Sequence, residues 1–262
     1  MTHPIAEKIA KLLTITLFCV LLMACKSSDK TPSNPSSTNN TKLSDYEVLL
    51  MGNSHSAYNN LPGMLAILIQ AGTQKTVNVE NAPGWKFLDE RLNDGVSEQM
   101  LKSRKWTHLV LQAQKYSTTG NYFYSTEPSE EWIRRAKAQN AIPIMFPEWA
   151  RKGNLEEGDR IHQLHLSIVS AEPACLAPIG LAWENARLQY PQLNLHDPDG
   201  NHSNKNGALL TAYVLYETIT GNKAEDLATI SQLGVDASIQ IQLKGIASLT
   251  VEQNPPCFYY PQ

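Results

Sequence analysis

Signatures that fix a function at a glance are scarce in this sequence. Neither GxxxxGK[ST] nor GxGxxG occurs, so no cradle for nucleotide phosphates is indicated. HExxH is absent, and there is no internal repeat. Positive charge is not in excess: 22 Lys and Arg stand against 25 Asp and Glu, for a net charge of -3. That balance, with a pI near 6.2, gives no basic face for nucleic acid. The apolar run from Leu12 to Met23 is too short for a comfortable membrane span. What is present is ordinary: 262 residues with 42% hydrophobic content can bury one good core and leave little room for two domains.

The N-terminus reads as targeting rather than fold. Lys8 and Lys11 precede the apolar run, and Leu22-Met23-Ala24-Cys25 closes it, giving a signal peptide over residues 1–24. Those last four residues resemble a bacterial lipobox. The resemblance implies cleavage before Cys25 and acyl chains on it that hold the protein to a membrane, each buried methylene contributing about 0.8 kcal/mol. Lys26, where the sorting pattern for inner-membrane retention has Asp, implies an envelope lipoprotein of the outer membrane, facing periplasm or surface. Residues 25–43 are rich in Ser, Thr, Asn and Pro without periodicity and read as a disordered tether, leaving 44–262 as the folded domain. Of four cysteines, Cys19 leaves with the signal and Cys25 is acylated. Cys175 and Cys257 remain, and an oxidising envelope favours a disulfide between them over two buried thiols.

Within the domain, short apolar or alternating runs interleave with helical patterns. Val48–Met51, Thr76–Glu80, His108–Gln112, Ile142–Phe146 and Ala174–Ala177 read as strands. Pro143 is awkward in a central strand and is expected at the start of the fourth strand or at a sheet edge. Helices are expected after Asn60, from Lys86 to Ser103 with a break at Asn93-Asp94-Gly95, and from Glu130 to Gln139 with Ser129 as its cap. Four more are expected over Glu156–Ser170, Leu181–Gln189, Ala208–Thr220 and Ala237–Thr250. Such alternation argues for a parallel sheet covered on both faces, with its site at the carboxyl ends of the strands.

Two stretches on that rim carry chemistry. The first strand turns into a helix through Gly52-Asn53-Ser54, which lifts the Ser54 hydroxyl to the sheet edge beside unpaired helix N–H groups. Gly-Asn-Ser is also common turn chemistry. Near the C-terminus, Asp199 lies three residues before His202 in a polar loop that opens a helix. A carboxylate at that spacing can hold the imidazole tautomer while the other ring nitrogen takes a serine proton. Alone, the pair could equally be a capped helix start; together with Ser54 it points to nucleophilic catalysis. Rival features are weaker. His162 and His165 share a helix face without a third ligand, so a solvated face is expected. His196 and Asp197 are adjacent and point apart. Trp85 and the Tyr122-Phe123-Tyr124 cluster could contact substrate or cover the sheet edge.

GNS early, a Gly in a second block, a polar amide after the third strand and DxxH near the C-terminus resemble the SGNH (GDSL-type) hydrolases. The likeness runs over roughly residues 44–221. GNSHSAYNNLP and LVLQAQKYS look more like a divergent bacterial envelope branch, in which Asn replaces the usual Asp before the serine and the third block reads Gln-x-Gln. The resemblance implies a flavodoxin-like three-layer α/β/α sandwich around a parallel sheet of about five strands. It makes Ser54 the nucleophile, His202 the base and then acid, and Asp199 its orienter. The oxyanion donors it implies are the backbone N–H groups of Ser54 and Gly84 and the side-chain amide of Gln114, with Gln112 as the alternative. Neither a metal nor an organic cofactor is implied. The expected activity is hydrolysis of a carboxylic ester, an acyl or acetyl group on a small molecule, glycan or lipid. An acyltransferase would use the same residues, and a catalytically silent surface-binding protein of the same fold is the reading from another class.

Overall fold

A computed structural model describes residues 43–260. The signal peptide, Cys25 and the body of the tether lie outside the described residues. In chain order the elements are β1 (Tyr46–Met51), α1 (Leu61–Thr73), β2 (Val77–Asn81), α2 (Leu88–Arg91), α3 (Val96–Lys102), β3 (His108–Leu111) and α4 (Glu127–Ala138). They continue with β4 (Ile142–Met145), α5 (Leu155–Ala171), β5 (Cys175–Leu176), α6 (Ile179–Gln189), α7 (Lys205–Thr220) and α8 (Ala237–Gln253). The five strands form one parallel sheet in the order β2-β1-β3-β4-β5. The chain is therefore the three-layer α/β/α sandwich that the strand–helix alternation calls for.

Period-two alternation sorts β1 between two cores. Val48 and Leu50 face α1, α6, α7 and α8, whereas Leu49 and Met51 face α2, α4 and α5. β1 is buried throughout because helices cover both faces. The first crossover places β2 on one side of β1, and the next runs from β2 past β1 to place β3 on its other side. Such a reversal opens a crevice at the carboxyl ends of the strands, next to β1. α7 is buried almost all round, and Asn204 caps it by accepting from the N–H groups of Asn206 and Gly207.

Three local expectations are corrected. β4 is not an edge: Pro143 lies opposite Leu109 of β3. It is tolerated because the Ile142 N–H is the one that bonds to Thr107 of the β3 side, turning Pro143 nitrogen toward β5, which pairs only from Ile144 onward. Helix α4 starts at Glu127, ahead of Ser129, whose hydroxyl is drawn inward to donate to Gln114 Oε1 at 2.7 Å. The α5 face carrying His165 is not solvated either. His165 is buried with Nδ1 on the Ile161 carbonyl, and burial pushes its pKa down to about 4.

At the far edge, a disulfide joins Cys175 of β5 to Cys257 in the tail. The Leu176 N–H donates to the Pro256 carbonyl at 2.7 Å, so the tail also covers the backbone of this edge strand.

Candidate active site

The serine sits at the reversal point of the sheet. Gly52 follows β1, and a Cβ there would come within 2.4 Å of Gln112 Oε1 and 2.9 Å of its Cβ, so glycine makes room for the Gln112 side chain. Asn53 is extended and caps the short turn Ser54–Ser56 through its side chain, accepting from the His55 N–H. The Asn53 N–H in turn donates to Gln112 Oε1 at 2.8 Å. Ser54 is left half-buried on the rim.

Opposite it stands the turn before α7. Asp199 Oδ1 accepts from the N–H groups of Asn201 and His202, both at 2.9 Å, which closes the turn on itself. Asp199 Oδ2 lies 2.5 Å from His202 Nδ1, and His202 Nε2 lies 2.8 Å from Ser54 Oγ. The carboxylate assigns the proton to Nδ1, so Nε2 is the acceptor for the serine hydroxyl. The hydrogen bond from His202, joined by those two backbone N–H groups, holds the Asp199 carboxyl well below the usual carboxylate range. Asp199 is thus an anion at any working pH and is matched to a developing imidazolium.

Rings fix the plane of His202. Tyr58 stacks on one side, centroids 4.3 Å apart at 19°, and His55 on another, 5.1 Å apart at 29°. His55 is itself held by Asn53 Oδ1 at 3.1 Å from Nδ1 and packs on Trp149, whose indole N–H donates to the Asn201 carbonyl. Asn59, at φ 52°, donates to the Ser203 carbonyl and ties the serine segment to the histidine loop a second time.

Arg91 joins the loops after β1 and β2. It is buried, and its Nη2 donates to the carbonyls of both Gly52 (2.5 Å) and Gly84 (2.7 Å), with Nη1 on Ser97 Oγ and, more weakly, on the Pro83 carbonyl. Burial lowers the Arg91 pKa, while Asp94 and Glu90 nearby oppose that shift. The Ser54 and Gly84 N–H groups have no acceptor among the described residues. Both are on hand for an anion at the rim.

The two glutamines behave otherwise than expected. Ala113 takes φ 76°, which breaks the strand alternation on which the preference for Gln114 rested. Gln114 is buried among its own loop: Nε2 donates to the carbonyls of Lys115 and Ser125, and Oε1 accepts from Ser129. It is not brought to Ser54. Gln112 does touch the serine segment, but through its carbonyl oxygen, while its Nε2 donates to Glu148 Oε2 at 2.6 Å. Trp85 and Phe123 are exposed and cover no part of the sheet. Among the described residues no cluster of three or more His, Cys, Asp or Glu side chains is placed to hold a metal ion.

Sequence reading missed Arg91, Tyr58, Trp149 and Glu148. Each acts across a distance in sequence, and no local pattern marks them.

No protein-family model matches the sequence, and no curated protein matches it significantly. Solved structures do match. A candidate SGNH hydrolase from Slackia heliotrinireducens superposes with a TM-score of 0.56 at 22% identity, over 66% of this chain and 97% of that one. A DUF4886 family protein from Bacteroides uniformis superposes with a TM-score of 0.67 at 17% identity, over 80% of this chain and 95% of that one. With the strand order, the reversal at β1 and these superpositions together, the chain has the fold of the SGNH hydrolases.

Proposed function

We propose that this chain is a serine hydrolase of carboxylic esters, held to the bacterial envelope through an acylated Cys25. The observation that carries the reading is the line Ser54 Oγ, His202 Nε2, His202 Nδ1, Asp199 Oδ2, with spacings of 2.8 and 2.5 Å at its two hydrogen bonds. Ser54 Oγ attacks the ester carbonyl as its proton passes to His202 Nε2, and Asp199 stabilises the imidazolium. The carbonyl oxygen becomes an oxyanion facing the N–H groups of Ser54 and Gly84, each such donor contributing roughly 3–4 kcal/mol. Collapse breaks the ester C–O bond, and His202 returns its proton to the leaving alcohol. Water then attacks the acyl-serine, His202 takes the water proton, and the carboxylic acid leaves as Ser54 recovers its hydrogen.

The ester belongs to a small molecule, glycan or lipid bearing an acyl or acetyl group. A fluorophosphonate probe tests the chemistry. Labelling of the folded chain that vanishes in Ser54→Ala and falls sharply in His202→Ala supports the reading. Folded protein that never reacts, or reacts equally without Ser54, refutes it.

A further inference from the structure

Beyond the aromatic wall of the site lies a cavity of about 360 Å³ that none of Ser54, Asp199 and His202 lines. Its size falls within the range of small-molecule sites, roughly 300–1,000 Å³. Residues 150–153 of the loop after β4 and residues 191–196 after α6 form much of its lining. Trp149 and Trp183, stacked 4.0 Å apart, stand between it and His55.

Most polar groups around this cavity already have partners. Arg151 pairs with the buried Glu157 and Arg187 with Glu184. The Asn194 amide donates to the His196 carbonyl, and His196 Nε2 donates to the Ala150 carbonyl. Asp159 is near His162 on its own helix, close enough to bear on its protonation. What remains for a ligand is apolar surface from Leu181, Leu193 and Leu195, the Lys152 ammonium as the one lining cation without a carboxylate partner among the described residues, and the side chains of Asp159 and Gln192. Lys152 makes no ion pair among the described residues, and it stands near enough to His196 to disfavour a second positive charge there.

We propose that the cavity binds an amphipathic carboxylate, an acyl chain of medium length whose tail lies on Leu181, Leu193 and Leu195 and whose head meets Lys152. A desolvated aliphatic tail supplies the affinity, and the single unpaired cation selects the charge of the head. The position gives such binding a consequence. The Lys152 N–H donates to the Gly200 carbonyl at 2.8 Å and the Trp149 indole to the Asn201 carbonyl at 2.9 Å. The walls of the cavity therefore also hold the turn that carries Asp199 and His202.

Calorimetric titration of the Ser54→Ala chain with sodium octanoate, below its micellar range, tests the assignment without involving the nucleophile. Sodium acetate and octyl glucoside serve as the headgroup and tail controls. Octanoate should bind saturably at one site, with both controls weaker by about tenfold or more. Lys152→Glu, which reverses the exposed cation, should weaken octanoate by about tenfold or more while leaving the thermal midpoint unchanged. Leu193→Arg, which fills the cavity from a residue packed on the core, should weaken it as much in a chain that keeps native circular dichroism but melts lower. Absence of saturable binding overturns the assignment. So does octanoate binding that survives either substitution in a folded variant, which would place the ligand elsewhere, or octyl glucoside binding as tight as octanoate.

Discussion

The two halves of the candidate site are held by opposite means. The serine half is fixed from below by buried polar groups: Arg91 at 1% exposure grips the carbonyls of Gly52 and Gly84, and the fully buried Gln112 holds the Asn53 N–H. The histidine half is fixed by its own turn and by rings, with the Asp199 side chain 46% exposed and His202 20% exposed. Buried hydrogen bonds that satisfy backbone groups belong to the stability of the fold, whereas an exposed, self-closing turn can be altered with little effect on it. The proposed nucleophile is thus part of the scaffold, and the proposed base is mounted on it.

The sharpest way to break that contrast is on the histidine side. Asp199→Asn keeps the turn-closing acceptor but loses the anion that fixes the tautomer, so kcat should fall by roughly 10²–10⁴-fold. The thermal midpoint should stay within about 1 °C, as for a surface change. A large loss of stability would show that the turn is as structural as the serine half. On that other half, Arg91→Met removes the donor to the Gly84 carbonyl and leaves the buried Gly52 carbonyl with only the Lys86 N–H at 3.4 Å. It should lower unfolding free energy by roughly 1–3 kcal/mol, read in urea titration. Activity should drop along with stability, because the loops that carry Ser54 and Gly84 lose the side chain that ties them together. An Arg91→Met chain of unchanged stability would remove the distinction drawn here.

Acid exposes the scaffold in a different way. Burial pushes the pKa of both His108 and His165 down to about 4, against an unfolded value near 6.5. Between those values the unfolded chain binds protons that the native state refuses. Stability from these two groups is therefore complete above about pH 6.5 and is lost as pH falls toward 4. Each should account for roughly 1–3 kcal/mol of that loss. His165→Leu should flatten the slope of unfolding free energy against pH over this window, and a slope that stays as steep would mean that the buried ring does not drive it.

The fold was largely legible because its signals are local. Strand periodicity in Val48–Met51, the Gly-Asn-Ser turn and the Asp199–His202 spacing are each contained within a few residues, and each lands on the rim that the parallel sheet provides. What could not be read is what holds these pieces. Arg91 reaches Gly52 over 39 residues of sequence, and Gln112 reaches Glu148 over 36. The preference for Gln114 over Gln112 failed at a single backbone angle, the positive φ of Ala113, which no side-chain alternation announces. His165 failed for a related reason: a histidine within a polar pattern gives no sign that the opposing layer will cover it.

The smallest expected effect lies where the two halves touch. Tyr58 belongs to the serine segment, yet its ring lies 4.3 Å from that of His202 and nearly parallel to it. A phenol face over an imidazole favours the protonated ring by about 0.5–1 kcal/mol at a partly exposed site. That stabilisation should appear mainly in the transition state, where His202 carries the serine proton. Tyr58→Leu should therefore lower kcat by roughly two- to fivefold, whereas Tyr58→Phe, which keeps the face, should leave it unchanged. Equal kcat for the Leu and Phe variants would mean that the aromatic face of Tyr58 contributes nothing to the protonated state of His202.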